Sequence, residues 1–480
     1  MNNTQISYPS VKCIHHEFVS KAMIYSQKLA VELDEQSLTY CELLYYVQVL
    51  SLTLLNEYRV NVGDIICQCV ERSISMVIGI MGILMAGGVY CPLSPRDPED
   101  RLHALISDLQ NLLDIDILLT DTDFTYIIFT SGSTGVPKAI QTRHRNFSNF
   151  IRSLQHSGIL LKNDVMAQIC APTYDVHTME IIGSLFLSSS LVLLHPYGNM
   201  DFLYFMNICE TKKITCIAPV PTFLDHLCDA IERLHCDSLS TLRSLCFGEP
   251  ISKRLVHRLQ SHIDNNCTLY NIYAPAETTV VSFYHRISSR SSESIIALGR
   301  LLPNEHHKVL DMYFQHVPVG QQGELFIGGG GVFAGYLYRN DLTTKVILEI
   351  DEQKFYQTGD VVKLDRNGLV YYEGRKDFQV KLHGQRIELG EIERCLLNHL
   401  VAYVQSSVVS EKELHEYCQS HLPPHMIPSY FIILDKLPLN PNGKIDRKRL
   451  PSPDSLVLSS TKLNNTNDLV EPTNKIESII

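Results

Sequence analysis

The stretch FTYIIFTSGSTGVPKAI, Phe124 to Ile140, decides how the chain is read. Its first seven residues are β-branched or aromatic, the composition of a buried strand. SGSTG then supplies hydroxyls and unhindered backbone N–H groups, the equipment for wrapping phosphate oxygens. Lys138 adds a mobile positive charge suited to a polyphosphate. The spacing is not GxxxxGK[ST], because Lys138 follows Pro137. Taken alone, a Ser/Gly loop is equally an ordinary turn, so the reading depends on what accompanies it.

The rest of the chain narrows the field. Its 480 residues suffice for roughly three domain-sized units. With 45% hydrophobic and 19% charged residues, the composition predicts a large buried core. The net charge of −11 opposes a nucleic-acid groove, which needs a basic face. Arg143-His144-Arg145 and Arg447-Lys448-Arg449 are too short to change that balance and read as solvated faces or helix ends. The 14 cysteines include no CxxC pair. The closest two, Cys67 and Cys69, bracket Gln68 with the alternation of a strand. Scattered cysteines behind an N-terminus without the order of a signal peptide point to a reducing cytosol. Ile74 to Ser94 carries no charge and has the length of a membrane span. Gly79, Gly82, Gly87, Gly88 and Pro92 interrupt it, so it reads as a buried helix, a glycine turn and a strand, with no membrane partner.

Helix-like and strand-like pieces alternate through the first two thirds: YCELLYYVQVLSLTLL, DIICQCV, ITCIAPV, PTFLDHLCDAIERL, LRSLCFG and SKRLVHRLQSHI. That alternation predicts α/β architecture with a parallel sheet between helices. From about Gly323, GELFIGGGGVFAGYL and GLVYYEGRKDFQVKLHGQRIEL are glycine-punctuated β sequence. A short α+β piece follows Asp377. The last thirty residues are rich in Ser, Asn and Thr and read as a linker. No repeat of solenoid length is visible.

The company of the opening loop arrives in order. NIYAPAETT places Tyr273 and Glu277 four residues apart after a strand. FYQTGD ends in Asp360. GRKDFQVKLHGQRIELGEIE begins with Arg375 and runs through Asp377. LPLNPNGKIDRKRL puts Lys444 at a glycine turn. Together these offer a ring for a base, a carboxylate for magnesium, a carboxylate for sugar hydroxyls, an arginine and a second lysine. Each residue also has a plainer use, as a cap, core ring or surface lysine; their joint occurrence in order outweighs it. In these motifs, from IHHEF to DRKRL, the chain resembles the adenylate-forming superfamily of acyl-CoA synthetases, luciferases and nonribosomal peptide synthetase adenylation domains. SLTYCELL, LMAGGVYCPLSPRDPEDRL and RIELGEIE resemble the peptide-synthetase branch.

The resemblance implies a large N-terminal domain of stacked sheets flanked by helices plus a β-subdomain (1–376), then a small mobile α+β C-terminal domain (377–450), shortened here. Residues 451–480 would be a linker and the start of a carrier domain. It implies ATP-dependent activation of a carboxylate as an acyl-adenylate, with pyrophosphate release and transfer to a carrier-protein phosphopantetheine thiol. Thr130, Ser131, Gly132, Ser133, Thr134, Gly135 and Lys138 would cradle the β- and γ-phosphates, and Glu277 would hold Mg2+. Tyr273 would stack on adenine beside Gly248, Glu249 and Pro250, with Asn271 and Ala276 in the nucleotide site. Asp360 and Arg375 would bind ribose. Lys444 would bridge the substrate carboxylate and the α-phosphate. Asp377 matches the hinge, and Lys381 to Gly384 would face the site after rotation.

For the acyl group, Asp175 in APTYDVHTMEIIG matches the acid that holds an α-amino group, a sensible partner for an ammonium. The aligned pocket positions are Val176, Met179, Ala218, Leu245, Phe247, Ile272, Val280 and Val281, all apolar, which favours an apolar amino acid. The chain also departs from the pattern. Ala139 and Ala274 replace glycines, Ala276 replaces a threonine and His383 an arginine. It is shorter than the family pattern between Arg101 and Phe124 and again after EIERCLLNH. Three further readings follow: an aminoadipate-reductase-like or β-alanine-condensing relative, toward which YDVHTMEI leans; an acyl-CoA ligase, against which Asp175 speaks; and a catalytically silent nucleotide- or partner-binding domain.

Overall fold

The computed structural model describes residues 5–9, 13–113, 124–131, 137–234, 239–287, 296–376, 379–382, 385–388, 404–405, 409–422, 427–428, 431–434 and 436. The chain divides into two compact units, Met1–Glu391 and Ile392–Ile480.

The apolar run of the opening stretch is the strand Phe124–Thr130, and Lys138–Arg143 returns beside it antiparallel. The two form the middle of a five-stranded sheet completed by Val89–Leu93 and Ile65–Cys69 on one side and Gly335–Tyr336 on the other. Ile65–Cys69, Val89–Leu93 and Phe124–Thr130 run parallel. Their crossover helix, Ile74–Met85, is capped by the Ser73 hydroxyl, which accepts the Met76 N–H. A Cβ at Gly79 would lie 1.8 Å from Gln68 Nε2 and one at Gly82 2.8 Å from Leu50 Cδ2, so these glycines let the helix press against the sheet and a neighbouring helix. The uncharged Ile74–Ser94 run is therefore buried protein. Among the described residues no helix is long and apolar enough to cross a membrane.

A second sheet has nine strands. Leu29–Leu33, Ser190–Leu193, Val165–Gln168, Cys216–Ile217, Ser244–Phe247 and Thr268–Tyr273 are adjacent and parallel. Antiparallel strands close both margins: Gln36–Thr39 at one, Phe283–Ile287 and Arg300–Leu301 at the other. One apolar cluster joins a face of this sheet to the first sheet through Tyr90, Tyr126, Leu191, Leu193 and Cys216, together with the helices Ile14–Ile24, Tyr40–Asn56, Ile74–Met85 and His144–His156. A second cluster covers the opposite face with Phe202–Thr211, Pro221–Leu234 and Lys253–His262. This is the expected α/β stack, and it follows from strands that are apolar on both faces.

The β-subdomain is a third, antiparallel sheet of Glu305–Leu310, Gln322–Gly329, Gln353–Leu364, Ile347–Ile350 and Val370–Arg375. It begins one strand earlier than the change of character at Gly323 suggests, because EHHKVL carries two histidines and a lysine that mask its alternation. In the second unit, Glu411–His421 is a helix whose capping box pairs Ser410 with Glu413. Val404–Gln405 pairs parallel with Ile433–Leu434.

Candidate nucleotide and acyl site

Ligands of open α/β sheets collect beyond the carboxyl ends of the parallel strands. Several motifs lie there: Asp175 after Val165–Gln168, Ala218 after Cys216–Ile217, Gly248-Glu249-Pro250 after Ser244–Phe247, and Ala274 to Glu277 after Thr268–Tyr273. Gly248 leaves room, since a Cβ there would come no nearer than 3.8 Å to Ala274.

Three of the nominated nucleotide residues touch. Asp360 accepts hydrogen bonds from the Tyr273 hydroxyl and from Arg375 Nη1, the latter at 2.6 Å. Asp360 and Arg375 are cross-strand partners, so the register of the hairpin sets the ion pair. The Asp360 N–H donates to Thr358 Oγ1 at 3.0 Å, and Arg375 Nη2 donates to the Thr358 carbonyl at 3.2 Å. Burial, and then the Asp360 carboxylate, push the Tyr273 hydroxyl well above its ordinary range. It therefore stays a donor and fixes the ring. Asn271 is buried and donates to the Ala297 carbonyl at 2.7 Å.

A second chain of contacts runs toward the quoted loop. Thr130 and Lys138 face each other across the hairpin. Lys138 Nζ stands 5.5 Å from the centre of the Tyr336 ring, and the Tyr336 hydroxyl donates to Glu277 Oε1 at 2.9 Å. Glu277 is fully buried in the short turn Ala276–Thr278. The Thr130 hydroxyl is buried without a hydrogen-bond partner among the described residues. Thr279 and Val280 follow with φ of +58° and +66°. Both are β-branched, so the turn carries strain of the kind stored at binding sites. It is held by the Thr279 hydroxyl donating to the Gly331 carbonyl at 2.6 Å.

On the acyl side, Asp175 opens the helix Asp175–Thr178, and a π-turn over Met179–Gly183 continues it. Such turns mark functional segments. Met179, Ala218, Ile272, Val280 and Val281 belong to the cluster between the two sheets, with Val176 packed against it. Leu245 and Phe247 belong to the cluster on the opposite face of the sheet. The register explains the split: Leu245 pairs with Leu269 and Phe247 with Asn271, one residue out of phase with Ile272.

The sequence reading missed a polar network beneath Asp175. Glu180 is buried, accepts the N–H groups of Ile169 and Cys170, and takes the Gln168 side-chain amide at 2.9 Å. Burial pushes its carboxyl up to about 7. Arg72 donates to the Gln168 side-chain oxygen and, at 2.9 Å, to the Ile169 carbonyl. His177 lies 3.3 Å from both the Tyr90 hydroxyl and Gln168 Nε2. Burial lowers its ring to about 3. The available signal was a histidine and a second acid after Asp175 in DVHTMEIIG. Tyr336 was missed too, although it sits in the GGGGVFAGYL run singled out for its glycines. Gly132, Ser133, Thr134, Gly135, Asp377, His383, Gly384 and Lys444 lie outside the described residues.

The family model for AMP-binding enzymes matches residues 18–113 and 114–337. Bacitracin synthase 1 of Bacillus licheniformis is 32% identical over 509 residues, which cover 94% of this chain and 10% of that protein. Tyrocidine synthase 1 of Brevibacillus parabrevis is 30% identical, covering 94% of this chain and 46% of that one. The chain thus spans less than half the length of these relatives. The first alignment is also longer than the 480-residue chain, so that relative has residues this chain lacks. Among solved structures, an artificially fused adenylation–PCP di-domain from Klebsiella oxytoca superposes with a TM-score of 0.76 at 22% identity, over 88% of this chain and 94% of that one. The Vibrio cholerae adenylation domain AlmE, in complex with glycyl-adenosine-5'-phosphate, gives 0.75 at 21%, over 95% and 99%. At these identities the likeness shows the fold.

Proposed function

The chain belongs to the AMP-binding enzyme family, and from that premise we propose that it activates an apolar amino acid with ATP, releases pyrophosphate, and passes the acyl group to a carrier-protein phosphopantetheine thiol. The observation that carries the reading is the run of contacts from Thr130 through Lys138 and Tyr336 to Glu277, joined by one short segment to the Tyr273–Asp360–Arg375 group. The first group suits the polyphosphate and the second the nucleoside.

In the proposed reaction a carboxylate oxygen of the acid attacks the α-phosphorus, and the bond from that phosphorus to pyrophosphate breaks. Lys138 and the Thr130 hydroxyl hold the departing pyrophosphate end. Asp360 and Arg375 grip the ribose hydroxyls while Tyr273, pinned through its hydroxyl, faces the base. Asp175 holds the α-ammonium. Lys444 neutralises charge on the α-phosphate as the pentavalent transition state forms. The buried Glu277 carboxylate is the hard oxygen donor that Mg2+ prefers, and the unpartnered Thr130 hydroxyl nearby fits a phosphate or metal-bound water. Mg2+, when bound, offsets the phosphate charge.

The test is amino-acid-dependent ATP–pyrophosphate exchange across the twenty amino acids, with Lys444→Ala as control. Exchange with an apolar acid, lost in the variant, supports both the reaction and the pocket. Preference for lysine or glutamate sinks the pocket reading. A silent nucleotide-binding role is the second reading, favoured by Ala276 in place of a hydroxyl residue and by the residues missing against the relative. Nucleotide binding without exchange selects it.

A further inference from the structure

Away from this site, two helix starts that are distant in sequence bring together three side chains with metal-binding chemistry. Cys13 stands immediately before the helix Ile14–Ile24, His15 is that helix's second residue, and His144 opens the helix His144–His156. One ligand atom from each, the Cys13 sulfur and a ring nitrogen of each histidine, lies within 4.8 Å of the others. His144 is buried, and Cys13 and His15 are half-buried. His15 Nδ1 is buried without a hydrogen-bond partner among the described residues. The His15 and His144 rings meet edge to face at 5.8 Å, and His16 flanks His15 at 4.4 Å.

We propose that Cys13, His15 and His144 bind a borderline-soft divalent cation, Zn2+ by preference. A thiolate and two imidazoles are the ligand types Zn2+ selects, whereas Mg2+ and Ca2+ take oxygen. In a tetrahedral zinc site such ligands stand roughly 3.3–3.8 Å apart. Side-chain rotation at the half-buried Cys13 and His15 closes the remaining gap. Water or His16 supplies the fourth position. His144 Nδ1 accepts the Ile14 N–H at 3.3 Å. A neutral imidazole has one lone pair on its ring nitrogens, so the cation competes with that long bond, which weakens the site without blocking it. Occupancy ties the N-terminal helix to the residue that directly follows the strand Lys138–Arg143.

The experiment uses the full chain, stripped with a chelator and titrated with Co2+ alone. The expected result is a thiolate-to-cobalt charge-transfer band saturating at one ion per chain and displaced by Zn2+. Loss of outer-shell partners already costs about 10–100-fold in metal affinity, so Cys13→Ser and His15→Gln are each expected to weaken Zn2+ by at least about tenfold. Both positions are half-buried at a helix start, and melting temperatures without metal report whether the variants fold. Zn2+ should raise the melting temperature of the parent chain and not of folded Cys13→Ser. Cys67 and Cys69 are exposed and offer competing sulfur, so Cys67→Ser/Cys69→Ser is the control that should keep the band. No charge-transfer band, or a band that survives Cys13→Ser and vanishes in that control, overturns the proposal.

Discussion

Asp360 holds two donors at once, a tyrosine hydroxyl and a guanidinium, in a pocket that admits almost no water. Arg375→Ala takes the guanidinium away from a buried carboxylate that still accepts from the Tyr273 hydroxyl. The expected cost is about 3 kcal/mol, seen as a lower urea midpoint at unchanged slope. Glu180 makes a different prediction. Its carboxyl titrates near 7 in the fold and 4.5 in the unfolded chain. Between those values the unfolded chain has lost its proton and the fold has kept it. Stability from this group is therefore full below pH 4.5 and declines as pH rises toward 7. Against Glu180→Gln, the parent chain should lose about 2 kcal/mol between pH 5 and pH 8. The sequence placed Asp360 and Arg375 in one site through family likeness, but not in contact with each other. Their pairing depends on a hairpin register fifteen positions apart, which no local pattern encodes. Glu180 was illegible for a similar reason, since its partners Ile169, Cys170 and Arg72 come from other elements.

Elements were more legible where local signals agreed. PTFLDHLCDAIERL forms the helix Pro221–Leu234 over its whole length, because proline at the first helical position and an apolar stripe point the same way. YCELLYYVQVLSLTLL is the helix Tyr40–Asn56, started by a Thr39–Glu42 capping box. Thr39→Ala should cost about 1 kcal/mol, read from the melting curve. ITCIAPV yields only the strand Cys216–Ile217, because the chain leaves the sheet at Ala218-Pro219. The π-turn at Met179–Gly183 has no sequence signature, as one extra residue in an apolar run preserves the apolar character. Among the described residues Gly299 is the tightest of the glycine turns. At φ +94°, a Cβ would lie 2.1 Å from the Tyr284 carbonyl. Gly299→Ala should therefore cost about 3 kcal/mol or more, measured by urea unfolding.

At the scale of the molecule, stacking two sheets creates an interior deep enough to hold a histidine in neutral form. His177, between the two sheets, accepts a proton at about 3 in the fold and 6.5 when unfolded. Below pH 6.5 the unfolded chain gains protons that the fold refuses, so this contribution is present above 6.5 and lost as pH falls. His177→Gln should remove about 2 kcal/mol of the parent chain's fall in stability between pH 7.5 and pH 5. The same stacking places Met179, Ala218, Ile272, Val280 and Val281 within the core that joins the sheets. On the proposed reading of these residues as the acyl pocket, a lineage that changes the acid it selects must also repack its interior. Cutting Ile272 back to a smaller side chain opens a void, and a larger side chain at Ala218 strains its neighbours. Preference should accordingly shift in correlated steps, several positions together, and variants selected in the laboratory for a new acid should first tolerate less heat.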